Sequence, residues 1–169
     1  MVDANLVIRE YLLSQAVVTA LLGTNQNGSI YCGYDLPEHF DPVLGPAIQI
    51  YRVGGHSHEE ITALVDARMC IRVWTAVEDA LLASQVYGAI NDALHGLCGA
   101  SVADGTIVRA LEVTGPLEMT DPENGWVVVY AFYQVMARPN SGAYNGPGQT
   151  SFVGSSDIDG GTSTADDTL

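Results

Sequence analysis

A chain of 169 residues is long enough for one domain with a real core and too short for two ordinary ones. Composition is globular, 47% hydrophobic and 15% charged, and no run of about 18 apolar residues occurs that would suit a membrane span. Twenty acids stand against six basic residues, all of them Arg, for a net charge of −14. This disfavours nucleic-acid binding, which needs cations to displace counterions, and suits a surface that DNA slides past without sticking.

The opening "MVDANLVIREYLL" lacks a basic n-region, which argues against a signal peptide. Residues 4–22 read as helix, with Asp3 as N-cap and Leu6, Leu13, Val17 and Leu21 near one face. A break is allowed at Ser14-Gln15, and Gly23 is the stop. A short strand, "SIYCG", comes next, then an irregular loop with three prolines, then a strand over residues 47–53. A Gly-rich hairpin leads to a strand near residues 64–74. There Ala67, Met69, Ile71 and Val73 alternate with Arg68, Cys70, Arg72 and Trp74, giving one apolar and one Arg-bearing face.

Thr75 and Glu78 have capping-box spacing for a helix running to about Leu94, with Leu82, Val86, Ile90 and Leu94 as its stripe and Gly96 as its stop. Strands follow near residues 106–114 and 126–137, joined by the turn "TDPENG". The last strand is apolar on both faces. It belongs at the centre of a sheet, or between a helix layer and another subunit. The whole reads as an α+β fold: a mostly antiparallel sheet of four to five strands packed with two main helices, plus an extended C-terminal arm.

Composition shifts at Pro139, dividing a folded domain (residues 1–138) from a Gly/Ser/Asp-rich arm (residues 139–169). Such a segment buries too little apolar area to fold alone. Tyr144, Phe152, Val153 and Ile158 are spaced as anchors on a neighbouring chain, against the plainer reading of a loose tail.

The stretch "VGGHSHEEIT" is the first candidate for chemistry. On a strand His56 and His58 would share a side, as in H-x-H metal pairs. No pattern fixes a third ligand, so His56, His58, Glu59 and Glu60 read rather as a polar hairpin loop that stays in solvent or touches a subunit. Arg68 and Arg72 pair with acids across a subunit boundary or form a solvated sheet face. Trp74 and Trp126 read as core before interface. Cys32, Cys70 and Cys98 have no C-x-x-C spacing and read as buried free thiols. The run from Asp157 to Gly160 lacks the other calcium-loop ligands, and the Gly-rich "NGPGQTSFVG" lacks the Lys of a phosphate loop. No nucleophile elbow or paired-carboxylate motif appears, so no catalytic residue, metal or cofactor is expected.

The helix ending in Leu21-Leu22-Gly23, the strand "PAIQI" from Pro46, the Gly-rich hairpin, "IRVWT", the Ala-rich "SQVYGAINDALHG" and the final "YQVMARP" together form a pattern. It resembles the tail-terminator (tail-completion) proteins of long-tailed bacteriophages over about residues 4–138. The resemblance implies a virion protein of the neck, assembled in the host cytoplasm. It also implies a homohexameric ring that caps the tail tube, ends its polymerisation and joins the tail to the head-connector proteins while DNA passes through. The hairpin loops would then face the tube or the lumen. The alternatives are another neck or head-completion ring protein, and a metal-dependent enzyme built on the His56/His58 loop.

Overall fold

The computed structural model describes residues 2–23, 29–38, 40–57 and 64–140. The chain begins with two short helices, α1 (Ala4–Leu13) and α2 (Ala16–Leu22), bent by 86°. Asp3 caps α1, its Oδ1 accepting the Asn5 N–H at 2.9 Å. The bend falls at the Ser14-Gln15 break. There the Ser14 hydroxyl donates to the Tyr11 carbonyl at 2.6 Å, and Gln15 turns extended before the helix restarts. Because the two segments diverge, no single stripe runs along residues 4–22. Val7, Ile8, Leu12, Val18 and Leu22 are buried, whereas Leu6 and Val17, expected on the inner face, are exposed. Leu13 and Leu21 lie half-buried at the edge of the core.

Six strands form one sheet: β1 (Ile30–Cys32), β2 (Ala47–Ser57), β3 (Val65–Thr75), β4 (Cys98–Val102), β5 (Gly105–Thr120) and β6 (Val127–Arg138). Their spatial order is β1-β2-β3-β6-β5-β4. All neighbours are antiparallel except β1, which runs parallel to β2. The proline-bearing loop after β1 supplies the dozen or so residues that a parallel connection needs. The sheet therefore exceeds the four to five strands expected from sequence. The strand that periodicity misses is β4, "CGASV", whose small residues show no alternation and whose Gly99 has φ +75°. The expected strand at 106–114 likewise runs on to Thr120, bent by three register shifts. Beyond its pairing with β4, the outer edge of β5 has no neighbouring strand among the described residues.

Helix α3 (Ala80–Leu94) packs with α1 and α2 on one side of the sheet. The capping box expected at Thr75 and Glu78 does not form. Pairing between β3 and β6 continues through Thr75 and Val127, which holds Thr75 in the strand. A 3-10 turn, Val77–Asp79, precedes the helix, and its N-cap Asp79 makes no side-chain cap bond. The Ala83, Val86, Ala89, Ile90 and Leu94 face is buried, and Gly96 (φ +79°) ends the helix. Leu82, expected in that stripe, is only partly buried. Against these helices lie Ile48 and Ile50 of β2, Met69, Ile71 and Val73 of β3, and Val129, Ala131, Tyr133 and Val135 of β6. The turn after β5 closes as its residue types predict, with the Gly125 N–H on the Asp121 carbonyl and Gly125 at φ +73°.

The helix-free sheet face as candidate assembly interface

Strand alternation gives the sheet a second face with no helix on it. Register sets the side chains of that face in rows. Gln49, Arg72 and Tyr130 lie abreast, then Tyr51, Cys70 and Phe132, then Gly54, Arg68 and Gln134, then His56, Asp66 and Met136. The last strand is thus central, with one surface under helices and the other half-open, as its two apolar faces require.

Two arginines of this face lie against rings. The Arg68 guanidinium sits 5.3 Å from the Phe132 centroid, and that of Arg72 5.0 Å from Tyr51. Stacking of this kind orients a planar cation while leaving N–H donors for a partner. The Nε of Arg72 is buried and has no hydrogen-bond partner among the described residues. Burial pushes the Tyr51 phenol well above its usual range, with the neighbouring Cys70 thiol adding to the effect, so the ring beneath Arg72 stays neutral.

At one end of the face Phe40, Trp74 and Trp126 pack edge-to-face. Their centroids are 5.4 Å apart for Phe40–Trp126 and 6.3 Å for Trp74–Trp126. The Trp74 indole N–H donates to Gln49 Oε1 at 3.2 Å, and the Gln49 amide donates to the Gly33 and Tyr34 carbonyls. The two Trp residues are therefore half-buried on the helix-free side, not in the helix-covered core expected of them. At the other end, Asp66 accepts a hydrogen bond from the Gln134 amide. Beside this pair opens a hollow of about 250 Å³, walled by Leu111, Val113 and Met136 and rimmed by Arg109.

Charge is segregated. By register Arg68, Arg72, Arg109 and Arg138 all point to this face, four of the six basic residues in the chain. Asp66 is the one acid that the described strands place there. Among the sequence candidates, His56, Arg68 and Arg72 come together on the helix-free face. Gly55, beside His56, has φ +110°, and a Cβ there would collide with the Asp66 carbonyl oxygen, so this approach of β2 to β3 requires glycine. His58, Glu59, Glu60, Tyr144, Phe152, Val153 and Ile158 lie outside the described residues. No three His, Cys, Asp or Glu side chains gather at metal-binding distance among the described residues. Of the cysteines only Cys70 is buried. Cys32 and Cys98 are exposed, because they sit on the short outermost strands β1 and β4.

Sequence reading missed Arg109, Arg138, Tyr130 and Phe132 as members of this surface. The signal for the last two was present: period two along β6 sets Tyr130, Phe132, Gln134 and Met136 opposite the core residues. Arg109 was hidden by the register shift between Ile107 and Arg109.

A small α+β layer with one sheet face left free of helices, bearing rings and stacked cations, has the make-up of a contact surface. The family model for tail completion protein gp17 matches residues 7–138, and the chain belongs to that family of structural phage-tail proteins. Among solved structures it is similar to a chain of the virion of the native gene transfer agent particle, with a TM-score of 0.57 and 17% identity. That match covers 80% of this chain and 94% of the other, a likeness of fold. Comparison with curated proteins finds no match.

Proposed function

We propose that this protein forms a ring that caps the tail tube, ends its polymerisation and joins the tail to the head-connector proteins. It works as a homohexamer in the neck of the virion, after assembly in the host cytoplasm. The observation that carries the reading is the helix-free face in a chain of the tail-completion family. Its Arg68 and Arg72 are held by Phe132 and Tyr51, and a buried Arg72 Nε lacks a partner among the described residues. A free donor of that kind costs about 1–3 kcal/mol until something accepts from it. A neighbouring subunit supplies acceptors, since acids outnumber basic residues twenty to six. Contact between unlike surfaces closes into a ring when the rotation between subunits allows it, and a closed ring leaves no free interface for another tube ring. His56 to Glu60 meet the tube or the lumen. The acidic balance lets DNA pass through the channel without adhesion. The solved relative comes from a phage-like particle, which agrees with a place in a virion.

Electron microscopy of the purified protein, alone and with tail tube protein, tests this. Six-fold rings are expected, and tube ends decorated by them. A chain that remains monomeric with tube protein present, and carries stoichiometric metal, overturns the assembly reading in favour of chemistry at the His56 loop.

A further inference from the structure

We propose that the end of the helix-free face bordered by Arg68, Arg109 and Arg138 is a docking surface for the chain's own C-terminal segment, residues 141–169, the Arg72 end being left to a neighbouring subunit. The exit of the chain is the first reason. Asn140 holds the last described turn in place: its amide donates to the Val102 carbonyl at 2.7 Å and to the Ala103 carbonyl at 3.1 Å, while its Oδ1 accepts from the Thr106 hydroxyl at 2.8 Å. Thr106 pairs with Arg138, and register points both to the helix-free side. The segment therefore departs from the border of this face, two residues beyond Arg138.

Charge is the second reason. The segment carries Asp157, Asp159, Asp166 and Asp167 and no basic residue. That end of the face carries Arg68, Arg109 and Arg138 against Asp66. Complementary charge favours an acidic occupant, and this segment is the acidic stretch tethered at the border of the face.

Shape and length complete the case. The hollow bounded by Leu111, Val113 and Met136, with Arg109 at its rim, suits an apolar anchor followed closely by acids. The segment offers that order: Phe152 and Val153, then Asp157, Ile158 and Asp159. Extended chain advances roughly 3.4 Å per residue, so a dozen residues retrace the 12-residue β6, and residues 141–169 number more than twice that. The spacing of these anchors in sequence suits a neighbouring chain equally. The exit point brings the chain's own face within shorter reach, at a high effective concentration.

Hydrogen exchange with mass spectrometry on the full chain decides the matter, and it does so without ring formation. At a dilution where the protein is monomeric, peptides covering residues 149–159 are expected to exchange at least tenfold more slowly than an unstructured chain. That protection falls toward unity in Phe152→Ala and in Asp157→Asn/Asp159→Asn, and in about 1 M salt. Arg68→Glu/Arg109→Glu gives the same loss, with exchange in α3 unchanged as the check on folding. Exchange at unstructured rates in the wild-type monomer overturns the proposal. So does protection that appears only as the protein oligomerises, which assigns the segment to a neighbour. Duplex DNA bound by the face while the segment exchanges freely also overturns it. Absence of rings under the microscope leaves the exchange result untouched, so the two readings fail separately.

Discussion

The two faces of the sheet are made from the same strands and differ in what each residue type is asked to do. Under the helices, β6 presents Val127, Val129, Ala131, Tyr133, Val135 and Ala137, all buried. On the reverse the same strand presents Tyr130, Phe132, Gln134 and Met136, all half-buried. The first face is closed by packing: the Tyr133 hydroxyl donates to Asn91 Oδ1 at 3.1 Å, and the Thr75 Oγ1 at its end is buried with no partner among the described residues. The second holds cations over rings and leaves the Arg72 Nε without a partner among the described residues. If the open side serves the proposed contacts, mutations should sort by the parity of the residue number along β6, stability on one side and assembly on the other.

The sharpest way to break that division is to truncate adjacent rings. Tyr133→Ala opens a void in the covered layer and is expected to cost about 3–5 kcal/mol, read by urea unfolding. Phe132→Ala, one residue away, should cost far less in stability and weaken assembly instead. Equal destabilisation by both would dissolve the contrast.

Gly55→Ala comes next, at about 1–3 kcal/mol, because φ +110° and the contact with the Asp66 carbonyl both oppose a Cβ. Melting of the purified variant measures it.

Alkaline pH acts on the covered side through Tyr133, whose phenol burial raises well above its usual range. In the unfolded chain a Tyr ionises near pH 10. The folded state keeps its proton longer, so this contribution to stability is complete below about pH 10 and is lost as pH rises above it. Denaturation midpoints should fall across that range, and Tyr133→Phe should flatten the fall.

The smallest effect on stability belongs to Arg72→Met. The substitution removes a cation–π contact of about 0.5–1 kcal/mol together with the unpartnered donor, so unfolding should move by less than about 1 kcal/mol. Ring formation, followed by light scattering, should drop.

Strong period-two patterns made β3 and β6 legible in the sequence, down to the alternation of Arg68 and Arg72 with Met69 and Ile71. The break after Ser14 and the turn at Gly125 were legible from residue type. What escaped has local physical causes. The strand β4 is built of small residues, so it has no periodicity to read. Thr75 and Glu78 satisfy capping-box spacing, but strand pairing with Val127 prevails over the cap. Leu6 and Val17 fit a helical face as well as Val7 and Val18 do, and only the bend decides which face turns inward. For the candidate surface, sequence named Arg68, Arg72 and His56 and the structure gathers them. Arg109 and Arg138 joined them only through long-range register, which no window of neighbouring residues contains.

The later half of β5 carries a further consequence. Its outer edge has no neighbouring strand among the described residues, and Val113, Leu117 and Met119 are exposed along it. Such an edge is a template on which further copies can add without end. Pro116 has no N–H to offer a newcomer, and Glu118 places a charge where an apolar ladder would continue. Growth by strand addition is thereby discouraged. In the proposed ring, copies of this chain would then meet through their faces, where the angle of contact, and not the length of an edge, sets how many can join.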